Sequence, residues 1–205
     1  MQKMVNKIEK MVGKYNEKEI FRDFVTMASI SMANAIEMNE DREQEYMNIK
    51  KKYTKEEMDD FALLVAMLVE ELEVRPRDVL GEIFMTMNLG NSKDQYFTPL
   101  EVAKMMDNLT DSTTEKEIFT VNDPSCGSGV MIIAKALNLK ERGINYQKRM
   151  RALAQDLDRT VLLMCFLQLN LLGVDAVCEV RNTLSNELHE YWYTLMHYKN
   201  KNWEL

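Results

Sequence analysis

With 205 residues, the chain is long enough to bury a sizeable core as one domain or as two small ones. Its 46% hydrophobic and 29% charged content is that of a soluble globular protein, no apolar run is long enough to span a membrane, and Lys3, Lys7, Glu9 and Lys10 interrupt any signal-peptide pattern, so a cytoplasmic protein is expected. A net charge of -7 argues against a chain that grips nucleic acid unaided, because non-specific DNA affinity comes largely from Lys and Arg neutralising phosphates.

Residues 1 to about 90 read as all-helical. Ile20, Phe21, Phe24, Val25, Ala28, Met32, Ala35 and Ile36 recur at three- and four-residue intervals, which places them on one helix face. An acidic stretch from Glu37 to Glu45 passes into the cluster Lys50, Lys51, Lys52 and Lys55, and such clusters suit solvated helix ends. Thr54 with Glu57 makes a capping box ahead of the apolar series Phe61, Leu64, Val65, Leu68 and Leu72. Pro76 breaks that helix, Asp78 caps the next from Val79 to Asn88, and Gly90 supplies a left-handed stop. Residues 91–97 form a polar loop, and Thr98-Pro99-Leu100-Glu101 begins a helix running to about Leu109.

After a polar linker, Thr110 to Lys116, the apolar residues Ile118, Phe119 and Val121 run into Asp123-Pro124-Ser125-Cys126-Gly127-Ser128-Gly129, and an apolar helix-like run from Val130 to Leu139 follows. That order reads as strand, tight loop and helix. Glycines without a Cβ let bare backbone N–H groups approach a ligand at a helix N-terminus, and an acidic residue ending the strand sits where ligands bind in open α/β sheets. The same pattern also suits an ordinary βα turn that needs glycine for positive φ. The order D-P-x-C-G-S-G is more specific than a glycine loop in general. It resembles motif I of the amino-methylating DNA methyltransferases, and within them the methylation subunit of type I restriction-modification systems, the N-6 adenine DNA methylase family. Q-Y-F-T-P at residues 95–99 is similar to that family's motif X, which implies that Phe97 and Thr98 lie against the methionine part of S-adenosylmethionine.

Arg151 to Asp156 suits a second parallel strand, and its terminal acid is placed to hydrogen-bond ribose hydroxyls; the family has a glutamine-acid pair here, matched by Gln155 and Asp156. Asp158 caps the next helix, whose run from Val161 to Leu172 is apolar nearly all round, should be buried, and stops at Gly173. Residues 175–180 read as a third strand ending at Arg181-Asn182-Thr183-Leu184. Relatives usually carry G-D-T-L there, and the amide of Asn182 can still accept from an adenine amine. The resemblance therefore implies a cofactor site of Phe97, Thr98, Asp123, Pro124, Ser125, Gly127, Ser128, Gly129, Asp156 and Asn182, with S-adenosylmethionine as cofactor.

The family's N-P-P-Y/F loop, which holds the flipped adenine, has no match: Pro76, Pro99 and Pro124 are the three prolines and no two are adjacent. No residue is thus assigned a catalytic role. The expected fold is α/β, with an all-helical region over 1–90 and, over 91–205, a partial S-adenosylmethionine-binding domain built on an abbreviated Rossmann-like methyltransferase sheet. Two functions are compatible with it. One is an adenine-N6 DNA methyltransferase whose DNA contacts and catalytic loop come from a partner specificity or methylation subunit; the other is a catalytically incompetent cofactor-binding module that acts through protein partners. A relic of the fold that binds nothing is a third reading. Cys126, Cys165 and Cys178 lack CxxC spacing and read as reduced thiols, and nothing marks His189 or His197 as ligands, so no metal is expected. The aromatic tail from Glu190 to Leu205 is expected to fold back on the open edge of the strand ending at Asp123, assisted by a homodimer.

Overall fold

The computed structural model describes residues 1–90, 96–110 and 117–200. The loop residues 91–95, most of the linker and the tail end with Lys201 and Trp203 lie outside the described residues.

Local chemistry sets the helical ends of the first ninety residues, which form α1 (Gln2–Met11), α2 (Glu17–Asn34), α3 (Glu40–Lys50), α4 (Lys55–Val74) and α5 (Val79–Thr86). Thr54 Oγ1 accepts from the Glu57 N–H at 3.3 Å and Glu57 Oε2 accepts from the Thr54 N–H at 2.7 Å, which satisfies two donors that a helix start leaves orphaned. Asn16 and Glu19 do the same for α2. Helix α5 stops differently from the expectation at Gly90. The left-handed residue is Asn88, with φ of 52°, and the Leu89 N–H reaches back to the Phe84 carbonyl at 3.1 Å. Asparagine tolerates this conformation, and the returning bond uses a carbonyl the helix would otherwise leave free.

The second half alternates strands with helices: α6 (Leu100–Thr110), β1 (Phe119–Asp123), α7 (Val130–Glu141), α8 (Tyr146–Arg149), β2 (Met150–Asp156), α9 (Arg159–Leu171), β3 (Asp175–Asn182), β4 (Glu187–Tyr193) and α10 (Leu195–Lys199). The result is an α/β protein whose described residues form a four-stranded sheet in the order β1-β2-β3-β4. Strands β1, β2 and β3 are mutually parallel, with Asp123 level with Ala154 and Asp156 level with Val180, whereas β4 returns antiparallel to β3. Asp158 starts α9 as read from the sequence, accepting from the N–H groups of Thr160 and Val161, and Gly173 (φ of 69°) follows its end.

Residues alternate between the two faces of a strand, so the sheet has two different sides. One carries small apolar residues (Ala152, Ala154, Ala176, Cys178), all buried, and receives α9, whose residues Val161 to Leu169 are all buried. Phe166 of α9 meets Trp192 of β4 there at 5.3 Å, and α2 and α5 pack in turn on α9. The other side is polar and internally paired. Arg151 meets Asp175 at 3.1 Å, Gln155 donates to Glu179 at 2.7 Å, and Arg181 pairs with Glu179 at 2.7 Å, while α10 covers part of it with His197 stacked on Tyr193. Charges that neutralise one another tolerate a site with little apolar cover, which is how this sheet stands with helices mainly on one side.

The aromatic tail does form a strand, but on the opposite edge from the one expected. Tyr191, Trp192 and Tyr193 are level with Glu179, Cys178 and Val177 of β3, and β1 is paired with β2 alone among the described residues. A short turn explains the choice: Asn182 Oδ1 accepts from the N–H groups of Leu184 and Ser185, and Asn186 adopts φ of 58°, so the chain doubles back at once onto the strand it has just left. Thr194 fixes the far end, its Oγ1 accepting from the Ala176 N–H at 3.0 Å and donating to the Val174 carbonyl at 2.7 Å. Thr194→Val keeps the shape and leaves both groups buried and unpaired. Its expected cost is about 2 kcal/mol, read as a lowered urea midpoint; an unchanged midpoint would mean that β4 holds without this pin.

Candidate functional site

The carboxyl ends of β1 and β2 open into a cavity of about 340 Å³, lined by Tyr96, Phe97, Thr98, Asp123, Ser125, Cys126, Gly127, Val130, Met131, Asp156 and Val161. Parallel strands put their acids at one end of the sheet, which is where ligands enter folds of this kind. Asp123 Oδ1 accepts from the Ser125 N–H at 3.2 Å. Asp156 holds the loop from the neighbouring strand: Oδ2 accepts from the Gly127 N–H at 3.0 Å and Oδ1 from the Asp158 N–H at 2.9 Å. Partial burial pushes both carboxyls above their usual range, and the charge of Asp156 adds to the rise at Asp123. Two crowded, partly desolvated acids favour a ligand that brings hydrogen-bond donors or positive charge.

The two glycines of the loop do different work. Gly127 (φ of 55°) faces the cavity, and a Cβ there would stand 3.2 Å from the Phe97 ring. Gly129 (φ of 95°) precedes α7 and turns inward, where a Cβ would come within 2.7 Å of Cys165 Sγ. The first absence of a side chain keeps the cavity open; the second lets α7 and α9 approach.

Of the residues that the sequence singles out, Phe97, Thr98, Asp123, Ser125, Gly127 and Asp156 meet in this cavity. Pro124 is exposed beside it. Ser128 is buried and donates to Asp78. Gly129 lies against Cys165, and Asn182, at the end of β3, spends its amide oxygen on the turn into β4. Cys126 lines the cavity without being reactive. Contact with Cys165 lowers its pKa, but burial and the nearby Cys178, Asp156 and Asp123 outweigh that, so the thiol stays neutral.

Beneath the loop lies a polar cluster. Asp78, read from sequence as a helix cap, accepts from the Gly81 N–H at 2.9 Å, from Gln168 Nε2 at 2.8 Å and from Ser128 Oγ. Gln168 also donates to the Ser128 carbonyl at 3.0 Å and accepts from the Leu80 N–H at 3.0 Å. Helix α5, the glycine loop and α9 are thereby tied at one point by buried side chains, Ser128 and Gln168 fully and Asp78 nearly so. A glutamine inside the otherwise apolar run from Val161 to Leu169 was the available signal.

A second cavity, of about 490 Å³, lies across Phe97 and Thr98 and is walled by Arg75, Arg77, Glu82 and Leu100 among others. A third, of about 450 Å³, lies between α3 and β4; of the acids that line it, Glu45 and Glu190 are engaged by Arg159 and Glu37 by Tyr198. Among the described residues no helix is long and apolar enough to cross a membrane.

No curated protein and no solved structure matches the chain significantly. The model of the family described as N-6 DNA Methylase matches residues 75–202, which runs from the turn before α5 past α10 and takes in the cavity, the loop and the polar cluster. Spanning more than half of the 205 residues, that match shows that the chain belongs to the N-6 DNA methylase family.

Proposed function

We propose that the chain binds S-adenosylmethionine at the carboxyl ends of β1 and β2 and serves adenine-N6 methylation of DNA, in the manner of a type I restriction-modification methylation subunit. Catalysis and DNA contacts then come from a partner. The carrying observation is the meeting of Asp123, Gly127, Asp156 and the Phe97–Thr98 turn in one cavity, although they stand far apart in the sequence. Family membership implies this methyl donor, and the residues fit it. Two carboxylates supply acceptors for hydroxyl and amine donors, Gly127 leaves room that a Cβ would fill, and Phe97, Val130, Met131 and Val161 offer apolar walls. When bound, the cofactor supplies an electrophilic methyl group. The chain's own part is to orient it: Asp156, braced by the Gly127 and Asp158 N–H groups, presents a fixed acceptor, and the cluster at Asp78 holds the loop in place. Parallel pairing of β1, β2 and β3 supports a Rossmann-like sheet, and free thiols, with no helix among the described residues long and apolar enough to cross a membrane, suit this role in the cytoplasm.

A second reading is a catalytically incompetent cofactor-binding module acting through protein partners. It is favoured by three prolines of which no two adjoin, and by the net charge of -7. Titration calorimetry of the chain with S-adenosylmethionine and S-adenosylhomocysteine tests what both readings share: heat of binding is expected for each ligand, and its loss in Asp123→Ala. Absence of heat from a folded chain would remove the proposal. Labelled-methyl transfer to DNA then separates the readings, since the first expects transfer only with a partner present and the second expects none.

A further inference from the structure

We propose that the corner where α2 and α4 begin docks the phosphate backbone of duplex DNA, so that this chain adds a sequence-independent DNA contact of its own. The choice of partner rests on the DNA reading above, while the surface stands on its own residues. Lys14 before α2, Lys50 and Lys51 at the end of α3, and Lys55 at the start of α4 are all exposed, and none forms an ion pair among the described residues.

Contacts between the helices gather these cations into one patch. The rings of Tyr15 and Tyr53 stand 5.3 Å apart, each beside a helix cap, and Lys14 and Lys52 lie over the Tyr15 ring at 5.1 and 5.9 Å from its centre. Buried Asp23 of α2 takes Lys52 at 2.9 Å, the Tyr53 hydroxyl at 3.0 Å and Arg22 at 3.7 Å, so two cations share one carboxylate.

Nearby acids are spent on other work. Glu19 and Glu57 accept from the N–H groups of Asn16 and Thr54 at 3.3 and 2.7 Å, and Asp60 pairs with Lys7 at 2.8 Å. Glu17 and Glu56 stand in the first turns of α2 and α4, where the helix dipole favours a negative charge, which leaves exposed Asp59 against four lysines. Helix α3 separates charge along its length, with Glu40, Asp41 and Glu43 in its first turn and Lys50 in its last. A chain of net charge -7 thereby keeps a positive corner.

Stability does not account for the lysines. A cation at the end of α3 offsets the dipole there, but Lys55 sits in the first turn of α4, where the same dipole opposes a positive charge. An incoming phosphate meets two helix starts as well as the ammonium groups. None of the four lysines lines a cavity described above, and cations spread over three segments suit an extended polyanion, whereas a small phosphate needs a concave site. From Lys55 to Val74 helix α4 covers roughly 30 Å, the length of about nine base pairs, and it ends beside Arg75 and Arg77 of the second cavity. The contact thus falls away from the target base, on backbone that carries no sequence information.

Fluorescence anisotropy with a labelled duplex of arbitrary sequence tests the corner over a salt series. The folded chain should bind at low salt, with an affinity that falls steeply as salt rises. Lys14→Gln with Lys55→Gln, and separately Lys50→Gln with Lys51→Gln, should each weaken binding roughly tenfold or more at low salt and lower the slope of log affinity against log salt by about 2. Lys140→Gln with Lys148→Gln makes the same change in net charge at exposed positions of α7 and α8 and should leave affinity and slope unchanged. Circular dichroism checks that every variant folds. No binding by the folded chain, a loss confined to the Lys50 and Lys51 pair, or an equal loss in the control pair overturns the site. Tighter binding to phosphatidylserine vesicles than to the duplex also overturns it, since the partner would then be a membrane. Calorimetry on the same samples keeps the questions apart: a chain that binds S-adenosylmethionine and no duplex sinks the corner alone, and one that binds duplex and no cofactor sinks the cofactor site alone.

Discussion

Asp78→Ala is expected to lower stability by about 3 kcal/mol or more, because the donors of Gly81, Gln168 and Ser128 lose their shared acceptor at a buried point. For a chain of this size that corresponds to a fall in melting temperature of roughly 6–12 °C. Asp78→Asn should behave in the opposite way. An asparagine Oδ1 still accepts from Gly81 and Gln168, and its Nδ2 can donate to Ser128 Oγ. Burial pushes the Asp78 carboxyl above the usual carboxylate range, against the hydrogen bonds from Gln168, Ser128 and Gly81 that favour its charge. A raised native value means that the native state holds the proton more tightly than the unfolded one. Asp78 therefore costs nothing at pH below the ordinary aspartate value, and it withdraws stability as pH climbs from that value towards the raised one. Asparagine removes this slope, so at neutral pH it should match or exceed the wild type. Urea melts across a pH series decide; an alanine variant as stable as the wild type would mean that the cluster is not what ties α5 to the loop.

Gly127→Val should abolish cofactor binding while leaving the circular dichroism spectrum unchanged. The residue holds φ of 55°, which a β-branched side chain adopts only with strain of about 1–2 kcal/mol. Its Cβ would press at 3.2 Å on the Phe97 ring and its methyl groups would occupy the cavity itself. Gly129→Ala is the contrasting case. There the new Cβ would lie 2.7 Å from Cys165 Sγ, inside the seam between α7 and α9, so stability should fall before affinity does. Calorimetry and thermal melts on both variants separate the effects, and native affinity in Gly127→Val would end the case for this cavity.

What could be read in advance follows the range of the interactions involved. Thr54 with Glu57, Pro99, Asp158 and Gly173 act on backbone groups within a few residues, so their patterns fixed helix ends in the sequence itself. The strands were legible for a related reason, since each apolar run stops at an acid or a turn. Helix α3 was not separated from its neighbours, because with one buried residue, Ile49, it has no apolar face to show. Asp78 was visible as a cap of α5; its bonds to Ser128 and Gln168 cross 50 and 90 residues, and no local pattern carries them. The tail was recognisable as a strand while its partner was not, because Tyr191 to Tyr193 suit either edge and only the turn held by Asn182 and Asn186 decides. Tyr96, Met131 and Val161 joined the cavity unannounced, as residues of ordinary type brought there by packing.

The strand order β1-β2-β3-β4 repeats the order of the chain, and this bears on how the protein is made. Each strand finds its partner in the one that emerged from the ribosome immediately before it, so the sheet can be laid down as synthesis proceeds without waiting for a distant segment. The helical layer is the opposite case. Helix α2 leaves the ribosome early and must wait for α9, which Ser29 meets at the Leu163 carbonyl 134 residues later. During that delay Phe21, Phe24 and Ile30, all fully buried in the finished protein, have only their own helical neighbours to cover them. The nascent chain is thus most exposed to aggregation in its first half, before the sheet exists.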